Sequence, residues 1–248
     1  MTQQAKRMHE LYEECKHIGL SETSDVIESA ESAEEAEFFA KAFDIILQQK
    51  QKNVVAEKGF WLAKLIVFAG PNGSGKSTLY LTNRAFFDIP RVNVDEIVRE
   101  IGGNWRNSAD LIRAGKIALR RAKDCLEKKV SFNRETTLCG KTAVRDIIEA
   151  KRLGFEVELY FVYLSSVDIA KERILHRVAC GGHGIPEADI ERRYTESLRR
   201  LQEVMPLCDK VELYDNSEQF IKVLTFKKSR LTYSAENVPD WAKLFLKA

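Results

Sequence analysis

The chain has 248 residues, of which 44% are hydrophobic and 31% charged, and its formal net charge of +2 argues neither for nor against a nucleic-acid partner. No apolar run approaches the roughly 20 residues that a membrane-spanning helix needs, and the N-terminus lacks a signal-peptide core, so we expect a cytoplasmic protein without a membrane segment. The five cysteines include no CxxC pair, which indicates neither a zinc site nor a disulfide framework.

Residues 1–58 predict a small helical module. Apolar side chains recur at helical spacing between residues 8 and 18 and again between residues 39 and 47. Ser32 followed by Glu35 is a capping box that opens the second of these helices. Gly59 marks the end of the module.

Residues 60–248 predict an α/β domain, because short apolar strands alternate with helices. Strands are predicted at Lys64–Ala69, Arg91–Val94, Val130–Asn133, Glu156–Leu164 and Lys210–Tyr214, and helices at Lys76–Phe87, Leu111–Lys129, Lys141–Leu153, Ser166–Val178, Pro186–Val204 and 239–246. The alternation indicates a P-loop kinase-like parallel sheet of about five strands with helices on both faces. Ligands of such sheets bind outside the carboxyl ends of the strands.

A phosphate-binding loop follows the first strand of this domain. Residues 70–77 match the pattern G-x-x-x-x-G-K-[ST], between an apolar strand and a helix. Successive backbone N–H groups of such a loop face a phosphate, and the helix N-terminus adds its positive end. Lys76 would reach the β- and γ-phosphates and Ser77 would ligate Mg²⁺. We expect the bound nucleotide to be ATP, with GTP left open, and to contact Gly70, Pro71, Asn72, Gly73, Ser74, Gly75, Lys76, Ser77 and Thr78.

Acidic and hydroxyl side chains follow the next two strands. Asp95 is a candidate general base for an attacking hydroxyl, an indirect Mg²⁺ ligand, or the N-cap of the following helix. Glu135 and Thr137 are predicted to follow the third strand. There the carboxylate could bind substrate hydroxyls or a metal-bound water, or the segment could be a plain surface loop.

The basic segment 171–200 supplies candidate phosphate ligands. Arginines stabilise the charge that a γ-phosphoryl group spreads over its oxygens during transfer. Arg177 is expected to contact phosphate, together with one of Arg192 and Arg193. The glycine-rich loop around His183 predicts a hinge, and the role of His183 itself is open.

The ordered set of motifs resembles the zeta toxin family of P-loop kinases, particularly its predicted-ATPase branch. The matching segments are Gly70–Ser77, Asn93–Asp95, Glu135–Leu138, Gly181–Pro186, Arg192–Tyr194, Tyr214–Ser217 and Pro239–Trp241. The resemblance covers about residues 62–247. The P-loop is shared with many enzymes, whereas the ordered set is far more specific.

The resemblance implies a toxin that phosphorylates a sugar hydroxyl of UDP-N-acetylglucosamine, which starves peptidoglycan synthesis. It implies that Lys76 and Ser77 bind ATP–Mg²⁺, that Asp95 is the general base, that Glu135 and Thr137 bind the substrate, and that Arg177 contacts phosphate. The family's second phosphate-contacting arginine has no clean match. His183 lies at roughly its place, and Arg192 or Arg193 is expected to substitute.

The two parts of the chain carry opposite charge. Residues 1–58 contain seven Lys/Arg and twelve Asp/Glu, a balance of −5, and the remainder contains 32 and 25, a balance of +7. Classical zeta toxins are silenced by a separate helical antitoxin, so by this resemblance the N-terminal module is expected to dock on the kinase domain in cis as an inhibitor. The alternative is an ordinary structural extension.

Two other functions are compatible with the motifs. One is a kinase of another hydroxyl, on a nucleotide, an antibiotic or a nucleic-acid end, although nucleic acid is disfavoured because no aromatic-basic stacking strip is present. The other is an ATP-binding switch that transfers nothing. The sequence contains no separate Walker B run, in which four hydrophobic residues precede Asp-Glu, and this counts against a mechanical ATPase.

Overall fold

The chain divides into two compact units, Met1–Trp61 and Leu62–Ala248, in a computed structural model that describes residues 2–18, 22–57, 62–82, 86 and 88–247. The first unit contains the helices α1 (Gln3–His17), α2 (Thr23–Glu28) and α3 (Ala33–Glu57). The Glu35 N–H donates to Ser32 Oγ at 3.2 Å, and the Glu35 carboxylate accepts from the Glu31 N–H at 2.7 Å, so a variant of the expected capping box opens α3. Gly19 and Gly59 lie outside the described residues.

The second unit is built on one seven-stranded sheet. Its strands are β1 (Lys64–Ala69), β2 (Arg91–Val92), β3 (Phe132–Thr136), β4 (Glu156–Tyr163), β5 (Lys210–Asp215), β6 (Ile221–Lys227) and β7 (Arg230–Ser234), in the order β2-β3-β1-β4-β5-β6-β7. The first five strands in this order are parallel, which confirms the predicted parallel sheet. β6 and β7 extend it as an antiparallel hairpin.

The sequence did not predict the hairpin of β6 and β7, and the reason is physical. Its turn residues Lys228 and Ser229 both take left-handed conformations, with φ of 47° and 62°, which Gly or Asn normally signals in a sequence. Every residue of β7 is exposed, so β7 lacks the alternation of buried and polar residues that marks a strand.

Helices cover both faces of the sheet. They are α4 (Lys76–Thr82), α5 (Val94–Glu100), α6 (Ser108–Glu127), α7 (Lys141–Arg152), α8 (Val167–Ala179), α9 (Glu187–Val204) and α10 (Asp240–Lys243), and a 3-10 turn follows at Leu244–Lys247. α7 ends at the predicted position, where Gly154 takes φ of 84°. None of the helices in the described ranges combines the length and apolar character that crossing a bilayer demands.

The central strands are apolar because both of their faces are buried. On one face of β1, Leu65 and Val67 belong to the largest apolar cluster, which includes residues of α5, α6 and α7. On the opposite face, Ile66 and Phe68 belong to a second cluster with Leu79 of α4. This continuous burial explains why β1 was predictable to the residue.

The predicted bounds of β2 and β3 were wrong, and β3 also runs to Thr136 rather than ending at Asn133. β2 ends at Val92 because Asn93 caps α5, its side chain accepting from the Asp95 N–H at 2.8 Å. β3 starts at Phe132 rather than Val130, because Lys128 caps α6, Lys129 follows it in a left-handed conformation, and the Val130 N–H still donates to the Cys125 carbonyl of the helix. Asp95 therefore lies in the first turn of a helix, and Glu135 lies within a strand.

Candidate nucleotide and acceptor site

The loop after β1 has the backbone of a phosphate cradle. Gly70, Gly73 and Gly75 take φ of 139°, 78° and 100°. A Cβ at Gly70 would lie 2.0 Å from the Val162 carbonyl oxygen, and one at Gly75 would lie 2.4 Å from the Asn216 side-chain nitrogen. These positions therefore require glycine for both conformation and space.

Lys76 lies inside this cradle. Its ammonium is buried and donates to the Pro71 carbonyl at 2.8 Å, within the loop itself. Burial lowers the pKa of Lys76, and the carboxylates of Glu135 and Asp95 oppose that shift. The cation is thus placed where a phosphate oxygen could replace a carbonyl as its partner.

Two residues that the sequence analysis did not assign fix the loop from outside. The Asn216 side chain donates to the Ser74 carbonyl at 2.8 Å. Arg173 of α8 donates to the carbonyls of Gly73 at 3.5 Å and Ser217 at 3.2 Å. Asn216 follows β5 directly, so its position at the ligand-binding edge was the available signal.

Glu135 lies beside the P-loop because β3 pairs with β1. Ser77 Oγ lies 3.2 and 3.1 Å from the two Glu135 carboxylate oxygens. Asn93 donates to the same carboxylate at 3.0 Å, and Arg91 at 2.6 Å. Arg91, which the sequence analysis missed, also pairs with Glu96 at 2.7 Å. The Glu135 carboxylate of β3 therefore contacts both the P-loop and residues at the end of β2.

Asp95 faces the segment between α8 and α9. Its side chain is 45% exposed, and its carboxylate lies 3.8 Å from His183 Nε2. Asn93, not Asp95, supplies the side-chain cap of α5. The Asp95 carboxylate is therefore free of the capping role that competed with a catalytic one.

Arg177 and His183 lie together at the end of α8. Arg177 Nε donates to the His183 carbonyl at 3.1 Å, and within the described residues one terminal nitrogen of its guanidinium is buried without a hydrogen-bond partner. Burial lowers the pKa of Arg177, and Asp95 opposes the shift. Burial also lowers the pKa of His183, again opposed by Asp95. A buried guanidinium with an unused donor suits an anionic ligand.

The structure separates the two neighbouring arginines of α9. Arg193 donates to the side chain of Asn72, in the P-loop, at 3.2 Å. Arg192 is 55% exposed and pairs with Asp189 at 2.8 Å and Glu196 at 3.2 Å on its own helix. Only Arg193 is placed beside the cradle.

The remaining expected site residues lie around this centre. Thr137 is half-buried and its carbonyl accepts from the Cys139 thiol at 3.3 Å, as does the carbonyl of Arg193. Thr78 is exposed in the first turn of α4. Leu138, the residue after Thr137, is buried in a left-handed conformation, with φ of 62°.

Two glycines of the 181–184 loop have a structural purpose. Gly181 takes φ of 84° and donates to Val178, while Gly182 donates to Arg177 at 2.8 Å, so the pair terminates α8. A Cβ on Gly182 would lie 2.6 Å from Arg177 Cγ. Helix termination and close packing account for these glycines without a hinge.

The residues fit a magnesium ion that is bound through its nucleotide. In the described ranges, no three His, Cys, Asp or Glu side chains cluster as a metal cage. Mg²⁺ commonly takes one or two protein groups and completes its shell with phosphate oxygens and water. Ser77 and Glu135, in contact at the edge of the cradle, form such a partial set.

A parallel sheet of this order with a P-loop after β1 is the fold of the P-loop kinases. No family model matches the chain. It is 34% identical over 142 residues to an uncharacterized protein of Haemophilus influenzae, an alignment that covers 56% of this chain and 100% of that protein. The chain belongs to the same family as the Haemophilus protein.

Solved structures with this fold include the complex of AvrRxo1-ORF1 and AvrRxo1-ORF2. With sulphate ions it matches with a TM-score of 0.56 at 14% identity, over 79% of this chain and 66% of that one. The structure of the same complex with ATP matches with a TM-score of 0.55 at 14% identity, over 77% of this chain and 64% of that one. A structure of the PezAT toxin-antitoxin system of Streptococcus pneumoniae gives a TM-score of 0.49 at 16% identity, over 76% of this chain and 84% of that one. This chain spans just under two thirds of the AvrRxo1 chain, and identities this low show the fold alone.

Proposed function

We propose that the protein is an ATP- and Mg²⁺-dependent kinase that phosphorylates a hydroxyl group of a small substrate. The observation that carries this proposal is the convergence of the P-loop, the half-exposed Asp95 carboxylate and the guanidinium groups of Arg177 and Arg193 at one edge of the sheet. A structure of the similarly folded AvrRxo1 complex contains ATP, which supports the choice of nucleotide.

The cradle would hold the triphosphate. The backbone N–H groups of the loop and the start of α4 supply donors, and Lys76 would exchange the Pro71 carbonyl for phosphate oxygens. The buried Ser74 hydroxyl has no hydrogen-bond partner in the described part of the chain, so it is a further group that a ligand could satisfy.

Bound Mg²⁺ would neutralise phosphate charge, with Ser77 as a ligand and Glu135 binding a metal-coordinated water. The contact between Ser77 and Glu135 favours this role over the direct substrate binding that the resemblance implies for Glu135. Asn93 and Arg91 fix the carboxylate in place through their hydrogen bonds.

We expect the Glu135→Gln variant to need about 10- to 100-fold more Mg²⁺ for half-maximal activity, because it loses the charge that orients the metal's water shell. The measurement is a Mg²⁺ titration of turnover at fixed ATP. Glu96→Gln is the matched control, since Glu96 also pairs with Arg91 and is not a partner of Ser77 in the network. If Glu96→Gln raised the Mg²⁺ requirement equally, the effect would come from the lost pairing with Arg91, and this would contradict the metal role of Glu135.

In this proposal Asp95 is the general base. It accepts the proton of the acceptor hydroxyl while the acceptor oxygen forms a bond to the γ-phosphorus. The bond between that phosphorus and the bridging oxygen of ADP breaks, and ADP leaves. Arg177 and Arg193 would stabilise the charge on the transferring group.

The acceptor that we propose is a sugar hydroxyl of a nucleotide-sugar such as UDP-N-acetylglucosamine, by resemblance to zeta toxins. By the same resemblance, His183 lies at roughly the place of that family's second phosphate-contacting arginine, so acceptor identity needs a direct test. Purified protein would be incubated with γ-labelled ATP and Mg²⁺, with UDP-sugars, nucleotides, aminoglycosides and 5′-hydroxyl oligonucleotides as separate acceptors. Label in a UDP-sugar supports the proposal, label elsewhere redirects it to another kinase, and hydrolysis alone identifies a non-transferring switch.

We also propose that residues 1–58 inhibit a toxic kinase domain, residues 60–248, on the same chain. The opposite charges of the two parts, −5 and +7, support attraction between them, and the covalent link gives the module a high effective concentration, roughly millimolar for a short linker. Release of the module would then activate the toxin.

Deleting residues 1–58 tests this inhibition. We expect expression of the truncated chain in bacteria to arrest growth, whereas the full chain does not, because the cationic phosphate site becomes accessible. Growth curves and metabolite mass spectrometry give the readout. The truncated chain carrying Asp95→Asn is the matched control and should be harmless. A truncation no more toxic than the full chain would disprove inhibition.

A further inference from the structure

An aromatic stack joins two segments that are distant in sequence. Trp105 lies between α5 and α6, and His183 lies between α8 and α9. Their ring centroids are 5.7 Å apart and their planes differ by 7°, so the imidazole lies parallel to the indole. The stack ties the helix that carries Asp95 to the loop that contacts Arg177.

Hydrogen bonds of the neighbouring residues fix the backbone around Trp105. The N–H of Asn104 donates to Asp110 at 3.0 Å, and the Asn104 side chain accepts from the Arg106 N–H at 2.9 Å. The Asn107 side chain caps α6 one turn further on. Because these bonds fix the backbone on both sides of Trp105, the indole is the fixed member of the pair and His183 is the member it positions.

His183 in turn lies beside both Arg177 and the proposed base Asp95. Its carbonyl accepts from Arg177 Nε at 3.1 Å, and its Nε2 lies 3.8 Å from the Asp95 carboxylate. The charged groups whose electrostatic fields act on the pKa of its ring are Asp95 and Arg99 from α5 and Arg177 from α8. A neutral imidazole can orient a carboxylate without forming the tight ion pair that a guanidinium would form.

Trp105 is poorly explained as a purely structural residue. Within the described residues its indole N–H is buried without a hydrogen-bond partner, which is unfavourable in a side chain that only fills space. Phenylalanine or leucine would pack there without that cost. What the indole adds is a broad flat surface for the imidazole.

We propose that Trp105 is a positioning residue for phosphoryl transfer. Its indole orients His183, and His183 sets the distance between the Asp95 carboxylate and the Arg177 guanidinium. This role rests on the proposed kinase function, because it requires Asp95 to be the base. It predicts an effect on the transfer step rather than on nucleotide binding.

The test compares full-length variants of Trp105. We expect Trp105→Leu to lower kcat by about 10- to 100-fold, because small misplacements of catalytic groups cost that much, and to leave KM for ATP within about twofold. Trp105→Phe should restore most of kcat because it keeps a stacking face. Phe155→Leu is the matched control: Phe155 is a buried aromatic packed on Phe132 at the opposite edge of the sheet, and its loss should lower the thermal midpoint without lowering kcat.

Proton NMR of the His183 ring gives a readout that needs no activity. The stacked indole should shift the His183 ring protons upfield, and Trp105→Leu should abolish that shift, with His183→Gln assigning the signals. A missing shift overturns the proposal, and so does an unchanged kcat in Trp105→Leu when the wild type is active. If the wild type transfers phosphate to no acceptor, the kinase function itself fails and the positioning role fails with it.

Discussion

Replacing Asp95 with Asn is expected to reduce phosphoryl transfer by about 10²- to 10⁴-fold, the usual contribution of a general base. The amide cannot accept the proton of the acceptor hydroxyl, so the attacking oxygen stays a poor nucleophile. ATP binding should persist, because the P-loop donors, Lys76 and Ser77 belong to other elements.

Calorimetric titration with ATP and single-turnover transfer kinetics separate binding from chemistry in this variant. Glu100→Gln is the matched control, since Glu100 lies on the same helix and pairs with Arg121 on the surface. We expect its transfer rate to equal that of the wild type. Full activity in Asp95→Asn would remove Asp95 as the base, and a parallel loss of ATP binding would assign it to the nucleotide instead.

The second large effect is expected at Arg193. Arg193→Ala should lower kcat by about 10²- to 10³-fold, the cost of removing one donor aimed at developing charge. Arg193 donates to Asn72, so its guanidinium lies beside the P-loop, where the phosphates of a bound nucleotide would lie. The adjacent Arg192 is an internal control of the same charge on the same helix.

Arg192→Ala should change kcat by no more than about twofold, because Arg192 is exposed and paired with Asp189 and Glu196. Steady-state kinetics at saturating ATP, with thermal unfolding to confirm folding, make the comparison. Equal losses in both variants would contradict the assignment, and a loss confined to Arg192→Ala would reverse it.

These predictions concern groups that come from four different strands and helices. Lys76 begins α4 after β1, Glu135 lies in β3, Asp95 lies in the first turn of α5, and Arg193 lies in α9. Parallel strands bring their carboxyl ends to one edge of the sheet, so residues separated by more than 100 positions meet there. The fold supplies the proximity, and the local caps and turns supply the orientation.

Local patterns in the sequence were sufficient for the sheet core and the P-loop. β1 was predictable to the residue because both of its faces are buried, and the loop because Gly70, Gly73 and Gly75 adopt backbones that few other residues allow. Strand ends were less predictable, since Asn93 competes as a helix cap and shortens β2. The hairpin of β6 and β7 gave no signal, as its turn uses Lys228 and Ser229 in place of Gly or Asn.

By itself, the sequence determined that a parallel α/β domain presents a phosphate-binding loop, because these features depend on neighbours within a few residues of each other. Only the tertiary structure decided that Glu135 contacts Ser77, that Arg193 and not Arg192 reaches the loop, and that Trp105 stacks on His183. These contacts join residues far apart in the chain. Adjacent residues such as Arg192 and Arg193 point in different directions from a helix, and what lies in each direction depends on how the other elements pack.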